Sequence, residues 1–95
     1  MKVEFGRRAA AQLAAIFAYI AKDNPRAAAR VVARIEEIAE LLGDVPKAGQ
    51  AASREPQLRW MPVPRTPYLV FYTILRGGRV RIVRIVHGAR QRHRP

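Results

Sequence analysis

The feature that most constrains the fold is a pair of apolar runs joined by two glycines near the end of the chain. The runs are "PYLVFYTIL" at 67–75 and "RVRIVRIVH" at 79–87, on either side of Gly77 and Gly78. Runs rich in Val, Ile and aromatic residues are typical of β-strands, and paired glycines supply the positive φ angles of a two-residue hairpin. The sequence therefore predicts two antiparallel strands. The first run is apolar on both faces, which predicts a central strand covered on both sides.

The first half of the chain changes to a helical period after a short strand. Val3 and Phe5 alternate in "MKVEF", which predicts a strand that stops at Gly6. Beyond it, four large apolar residues follow the i, i+3, i+4, i+7 spacing of one helix face: Leu13, Ile16, Phe17 and Ile20. The other residues are mostly Ala, the strongest helix former. The pattern predicts a first helix from about residue 7 to residue 22.

A second helix is predicted directly after the segment "KDNP". Pro25 suits the first position of a helix, and Asn24 before it can accept a hydrogen bond from an unpaired backbone N–H as the N-cap. Apolar residues at helical spacing continue to Leu42, and Gly43 is a candidate C-terminal cap. Because the break between the helices is so short, we expect them to form an antiparallel hairpin.

The rest of the chain completes an α+β fold. The segment "DVPKAGQAASREP" at 44–56 has no period and predicts one long loop, and "QLRWMPV" at 57–63 predicts a further strand. Prolines at 62, 64 and 67 indicate that this strand is an edge or ends in a bulge. We expect a single domain over residues 1–95: an N-terminal strand, a helical hairpin on one sheet face, and a three-stranded antiparallel meander.

Positive charge is concentrated in the second half of the chain. Of the net charge of +11, residues 1–45 contribute seven Lys or Arg against six Asp or Glu, and residues 46–95 contribute eleven against one, Glu55. These arginines must therefore meet acids elsewhere in the fold, solvent, or another molecule, and a polyanion is the natural candidate. A basic surface that only keeps the protein soluble is the alternative.

Composition excludes several other classes of protein. The chain has no Cys, and its two His are not spaced as metal ligands, so we expect neither a disulfide framework nor a metal site, and no motif implies a cofactor. No apolar stretch is long enough to span a bilayer, and the N-terminus does not resemble a signal peptide. We therefore expect a cytoplasmic protein that does not enter a membrane.

Arg84 is a candidate recognition residue because of its position in the last strand. On an ideal strand it shares a face with Val80, Ile82 and Val86, so one arginine would lie on an otherwise aliphatic side. Its guanidinium could reach the rim, pair with an acid of the first half such as Glu4, or present a bidentate fork to a carboxylate or phosphate.

The order of these elements and motifs resembles the RelE/ParE superfamily of toxins from type II toxin-antitoxin, or plasmid stabilisation, systems. The resemblance rests on "DNP" between two helices, "P-x-x-G" at residues 46–49, "RTPYLVFY" and "RIVRIVHGAR", and it covers essentially the whole chain. The "HGAR" ending and the tyrosines of the central strand are most similar to the ParE branch. That resemblance implies inhibition of DNA gyrase, whereas the RelE branch implies cleavage of mRNA in the ribosome.

The residues favour binding over chemistry. RelE-like nucleases usually carry a tyrosine or another acid-base residue beyond the last strand, and here the tail "ARQRHRP" has no Tyr, although His87 and His93 could share proton transfer. A nuclease would use His87, Arg84, Arg90 and Arg65. A ParE-like toxin would meet its target through Arg84, His87, Arg90, Arg92 and Arg94. A plain nucleic-acid-binding module, which needs only the charge, is the third alternative.

The resemblance also implies a cognate acidic antitoxin, similar to ParD. We expect a partly disordered acidic segment of it to fold, as an amphipathic helix or an added strand, into the groove between the helical hairpin and the sheet. The expected contacts are Leu13, Phe17 and Ile20 on the first helix, with Arg79 and Arg81 at the rim.

Overall fold

The computed structural model describes residues 2–90, and for residue 90 the backbone alone. This part of the chain forms the predicted α+β fold with five strands and two helices: β1 Val3–Phe5, α1 Arg7–Ala21, α2 Pro25–Asp44, β2 Gln50–Ala51, β3 Leu58–Pro62, β4 Tyr68–Ile74 and β5 Val80–His87. Single 3₁₀ turns follow β4 at Arg76–Gly78 and β5 at Gly88–Arg90.

One mixed sheet contains all five strands in the order β1-β5-β4-β3-β2. The predicted meander of β3, β4 and β5 is confirmed, and β1 joins it in parallel beside β5. The prediction of a structureless loop over 44–56 is wrong at residues 50–51, which form β2 and pair with β3. A strand of two residues is too short to show an alternating pattern in the sequence.

The helical hairpin packs on one face of the sheet, here called the inner face. Both predicted helices are confirmed, and the Asn24 side chain accepts a hydrogen bond from the Ala27 N–H at 3.0 Å as the N-cap of α2. The buried core lies between the two layers: Ala9, Ile35, Ile38, Ala39, Leu42, Val63, Val70, Tyr72, Val80, Ile82 and Ile85. Neither helix is long and apolar enough to cross a membrane.

Three local predictions are wrong. Gly43 does not cap α2, because the helix runs on to Asp44 and Val45 is its C-cap. Gly43 is instead buried in the last helical turn, on the side that faces β1. The β4–β5 connection is longer than two residues, since residues 75–79 lie between the strands and Arg76–Gly78 form a 3₁₀ turn, although both glycines do have positive φ. The central strand β4 is buried on its inner face only, because both helices lie on that side.

Pro62 is accommodated at the end of β3 without making this strand the edge of the sheet. Pro62 is the last residue of β3, and β2 pairs only with Arg59 and Trp60, so the missing N–H of Pro62 breaks no pairing with β2. β3 therefore lies between two strands at Arg59 and Trp60, but at Pro62 it has β4 alone as a neighbour in the described part of the chain.

A buried tyrosine holds the segment between α2 and β2 against the sheet. Tyr72 is fully buried, donates its hydroxyl proton to the Pro46 carbonyl at 2.7 Å, and accepts the Gly49 N–H at 2.8 Å. A Cβ at Gly49 would lie 2.7 Å from both the Trp60 carbonyl and the Tyr72 hydroxyl, so only glycine fits there. These contacts give the "P-x-x-G" motif a structural role, and Arg59 adds a hydrogen bond to the Gly49 carbonyl at 3.1 Å.

Replacing Tyr72 by Phe should therefore destabilise the protein. The substitution removes a donor from Pro46 and leaves the buried Gly49 N–H unpaired, which typically costs about 1–3 kcal/mol. We expect a lower denaturation midpoint in urea with an unchanged slope. The matched control is Tyr19→Phe, because Tyr19 is 72% exposed and should tolerate the change. Equal midpoints for the two variants would contradict this role of Tyr72.

Candidate target-binding surface

A β-bulge in β5 decides which side chains share a face of the sheet. Phe71 of β4 pairs with Arg84, and the next residue, Tyr72, pairs with Ile82, so Val83 is an extra residue in β5. Ile82 and Ile85 are both buried although they are three residues apart, which an uninterrupted strand does not allow. The alternation of faces therefore shifts by one residue at Val83.

The bulge overturns the predicted surroundings of Arg84. The expectation that it shares a face with Val80 and Ile82 is wrong, because Arg84 follows the extra residue and lies on the opposite, outer face. Its guanidinium carbon lies 4.5 Å from the centroid of the Phe71 ring. The suggested pairing with Glu4 is also wrong, since Arg84 contacts an aromatic ring where a carboxylate was expected.

Three side chains form a row across the outer face, here called the aromatic–arginine row. Trp60 pairs with Phe71, which pairs with Arg84, so the three lie side by side on β3, β4 and β5. All three are half-buried. A cation over an aromatic ring at an exposed site is worth about 0.5–1 kcal/mol, which fixes the guanidinium while its donors remain available to a partner. Sequence analysis missed Trp60 and Phe71; the spacing of Ile82 and Ile85 was the available sign of the bulge.

Apolar side chains border the row on the same outer face. Pro62, Leu69 and Val86 form the neighbouring cross-strand row on one side, and Leu58 lies on the other side. Apart from the exposed Pro62 these residues are half-buried, whereas Val70 and Ile85 on the inner face are buried. Apolar surface around an aromatic and arginine centre is typical of protein-binding sites.

The beginning of β5 is fixed to β1 by one carboxylate. Glu4 accepts a hydrogen bond from Arg79 at 3.0 Å and one from Arg81 at 2.7 Å. The hydrogen bond from Arg81 is the main cause that lowers the pKa of Glu4, and the charges of both arginines add to it, while partial burial acts in the opposite direction. Because the folded pKa is the lower one, the ion pairs stabilise the fold above the unfolded pKa, and this is lost as pH falls through the folded pKa.

Gln12 ties the far end of β5 to α1. β1 ends at Phe5, so within the described residues β5 has no neighbouring strand on this side beyond the bulge. There the Ile85 N–H donates to the Gln12 side-chain oxygen at 2.7 Å. This polar residue in an otherwise Ala-rich helix therefore takes the place that another strand would have at the edge of β5.

His87 lies at the end of β5 on the inner side and not beside Arg84. It pairs with Tyr68, which packs against the core, and their rings meet edge to face with centroids 5.6 Å apart. Its Nδ1 accepts the Ala89 N–H at 3.3 Å. Arg84 and His87 therefore project from opposite faces of the sheet, and one flat substrate surface cannot contact both.

Arg65 and the backbone of Arg90 lie near the end of the sheet that contains His87. Arg65 is exposed in the β3–β4 turn, where it has a φ of 62°. The backbone of Arg90 belongs to the 3₁₀ turn after β5. Arg92, Arg94 and His93 lie outside the described residues, so their predicted contributions to target binding stay predictions. Within 2–90, no three His, Cys, Asp or Glu side chains lie close enough to hold a metal ion.

The predicted antitoxin contacts lie on two sides of the sheet. Phe17 is 42% exposed on α1, and Leu13 and Ile20 beside it are half-buried. Arg79 and Arg81 lie with Glu4 at the rim of the sheet, and the Arg81 side chain points to the outer face because its neighbours Val80 and Ile82 point to the core. A segment that touches both groups must pass from the helical side of the sheet to its outer face.

Comparison with known proteins places this fold and sequence in a known group. The family described as "ParE toxin of type II toxin-antitoxin system, parDE" matches residues 3–92. A protein named "Putative toxin Y4kP" of Sinorhizobium fredii is 37% identical over 90 residues, which cover 95% of this chain and 91% of that protein. "Toxin RelE2" of Caulobacter vibrioides is 40% identical over 83 residues, 87% of this chain and 90% of the relative.

A solved structure supports the same assignment. It is described as "Chromosomal ParDE TA system from P. aeruginosa", and it superposes with a TM-score of 0.75 at 29% identity, covering 92% of this chain and 95% of that chain. Family match, related toxins and shared fold agree over nearly the full length of the sequence. This chain therefore belongs to the ParE toxin family of type II toxin-antitoxin systems, within the RelE/ParE superfamily.

Proposed function

We propose that this toxin acts in the cytoplasm by binding DNA gyrase, carries out no chemistry of its own, and is neutralised by an acidic, ParD-like antitoxin. The observation that carries the proposal is the aromatic–arginine row. Trp and Arg dominate the energetics of protein interfaces, and a Trp, a Phe and an Arg bordered on one side by Pro62, Leu69 and Val86 suit the centre of such an interface. On the sequence alone, Arg90, Arg92 and Arg94 are proposed to contribute positive charge to target binding.

The position of His87 also supports binding over catalysis. Cleavage of RNA by its own 2′-hydroxyl needs a general base and a general acid beside cations that stabilise the charge on phosphate. Arg84 is on the outer face, whereas the His87 ring lies against Tyr68 at the other face and its Nδ1 accepts a backbone N–H. Arg84 and His87, two of the four residues predicted for a nuclease, therefore do not converge.

A ribosome-dependent nuclease is the second candidate. The same row favours it to a lesser degree, because bases stack on exposed aromatic rings and an arginine beside them can contact phosphate. The two functions predict opposite results for His87 and Arg84.

Replacing Arg84 by Gln should weaken inhibition of purified gyrase by about tenfold or more, since loss of a central arginine in an interface costs at least 1–2 kcal/mol. His87→Gln should keep most of the inhibition. Arg30→Gln is the matched control, because Arg30 is an exposed arginine on α2, away from the sheet. The readout is the toxin concentration that halves DNA supercoiling, with growth inhibition after induction as the cellular counterpart.

The mRNA of the induced cells separates the candidate functions. Sequencing of 5′ ends after a short induction should show no cleavage phased with codons, while DNA-damage signalling rises. Phased cleavage that disappears in His87→Gln would replace the gyrase proposal with the nuclease, since removal of a general acid or base typically costs about a hundredfold or more in rate.

The antitoxin is proposed to cover the exposed side of α1. Ala9 is the only fully buried residue of this helix, and the large Phe17 side chain is 42% exposed, as expected of a helix whose outer side another chain covers. We expect Phe17→Asp to weaken binding of the purified antitoxin by about tenfold or more. Val45→Asp is the matched control, because Val45 is equally exposed, at 48%, but follows α2.

The basic part of the proposed antitoxin contact is tested separately. Arg81→Gln removes a charge without introducing an acid, and it should weaken binding in a salt-dependent way if the acidic segment reaches the outer face of the sheet. Unchanged affinity in both Phe17→Asp and Arg81→Gln would disprove this placement of the antitoxin.

A further inference from the structure

The open edge of β1 lies beside a groove that the toxin function does not use. β1 is the last strand of the sheet on its side, so one of its edges has no neighbouring strand. The groove lies between β1 and the second half of α2 and has a volume of about 570 Å³; it is lined by Val3, Phe5, Glu36, Ala39, Glu40, Gly43 and Asp44. Its charge is opposite to that of the aromatic–arginine row, because the charged residues that line it in the described part of the chain are all acidic.

The main chain of β1 offers unpaired hydrogen-bonding groups at this edge. The Val80 N–H donates to the Lys2 carbonyl, and the Gly6 N–H donates to the Ile82 carbonyl. The even-numbered residues in and beside β1 therefore turn their backbone groups towards β5. Val3 and Phe5 therefore turn their N–H and C=O groups the other way. Within residues 2–90 no other strand or side chain hydrogen-bonds to these groups. A strand edge of this kind can pair with an extended segment of another protein.

The wall of the groove is a stripe of carboxylates on α2. Glu36, Glu40 and Asp44 are spaced at i, i+4 and i+8, so they lie on one side of the helix, and all three are exposed. In the described part of the chain, ion pairs are formed by Glu4 alone among the acids. A protein of net charge +11 thus has a local concentration of unneutralised negative charge in this groove.

The two sides of the groove select one kind of side chain. Val3 and Phe5 present apolar, half-buried side chains on the inner face of β1, and the carboxylates lie across from them. Arg and Lys fit both features, because their aliphatic stems pack on apolar surface while their charged ends reach the carboxylates. In an added strand, every second side chain points to the inner face.

We propose that the β1 edge and the acidic stripe of α2 form a second docking site, which binds an extended protein segment with Arg or Lys at alternate positions. The segment adds as a strand beside β1, where Val3 and Phe5 supply the backbone hydrogen bonds and Glu36, Glu40 and Asp44 supply the charge. This occupant has the opposite charge to the antitoxin segment proposed for α1.

A second copy of this chain does not suit the groove. Antiparallel pairing of two β1 edges would bring two acidic stripes together and leave both without cations. The basic strand β5 of another copy has both of its edges occupied along the sheet, by β1 and β4. The charge pattern therefore indicates a different protein.

The test uses the full chain and a capped peptide of about eight residues, the length of an ordinary strand, in which Arg alternates with Thr. The free protein should show rapid hydrogen exchange at the Val3 and Phe5 amides, and saturation with the peptide should protect both amides. A peptide in which Glu replaces every Arg should not bind, and neither should the Arg peptide with every backbone N–H methylated, because the added strand pairs through its main chain.

Two double variants with the same change in net charge separate the groove from bulk charge. Glu36→Gln/Glu40→Gln should weaken the Arg peptide by about tenfold, the effect of two ion pairs at a partly exposed site. Glu37→Gln/Glu55→Gln should leave its affinity unchanged, because Glu37 and Glu55 do not line the groove. The proposal is overturned if both double variants weaken the peptide equally, if the Glu peptide binds as well, or if the two amides are already protected in a dimer of the free chain. None of these outcomes depends on gyrase inhibition.

Discussion

One extra residue in β5 determines how this protein presents its charge. If Val83 took a regular place in the ladder opposite Phe71, Arg84 would face the helices and Ile85 would face solvent, so the core would contain an unpaired guanidinium. With the bulge, Ile82 and Ile85 both reach the core and Arg84 lies over Phe71 on the outer face. The bulge thus keeps the core apolar and also places Arg84 in the candidate interface; bulges often redirect a side chain next to a functional site.

Charge is distributed over the molecule in three distinct ways. Glu4 neutralises Arg79 and Arg81 and thereby joins the first strand to the last. Arg84 is held by an aromatic ring, so its charge stays available to a partner. The carboxylates of α2 line a groove on the far side of β1. The second half of the chain is poor in acids, and two of its arginines, Arg79 and Arg81, pair with an acid of the first half. Arg84 contacts the Phe71 ring instead.

Sequence reasoning succeeded where a pattern repeats over many residues and failed where one residue decides. Helical periodicity gave α1 to within one residue at its C-terminal end, and Asn24 and Pro25 marked the start of α2 because capping is a local interaction. The bulge at Val83 was missed because an extra residue disrupts the two-residue alternation on which the assignment of faces rests. β2 was missed because long-range contacts to Tyr72 and Arg59, rather than its own sequence, hold that segment to the sheet.

The register of β4 against β5 is the most direct test of the account, because the position of Arg84 follows from it. Nuclear Overhauser effects in the full chain should connect Phe71 with Arg84 and Tyr72 with Ile82, and the Phe71 ring current should shift the Arg84 side-chain protons upfield. Contacts of Phe71 with Val83 and of Val70 with Arg84 in an uninterrupted ladder, with Arg84 protons near residues of the helices, would contradict it.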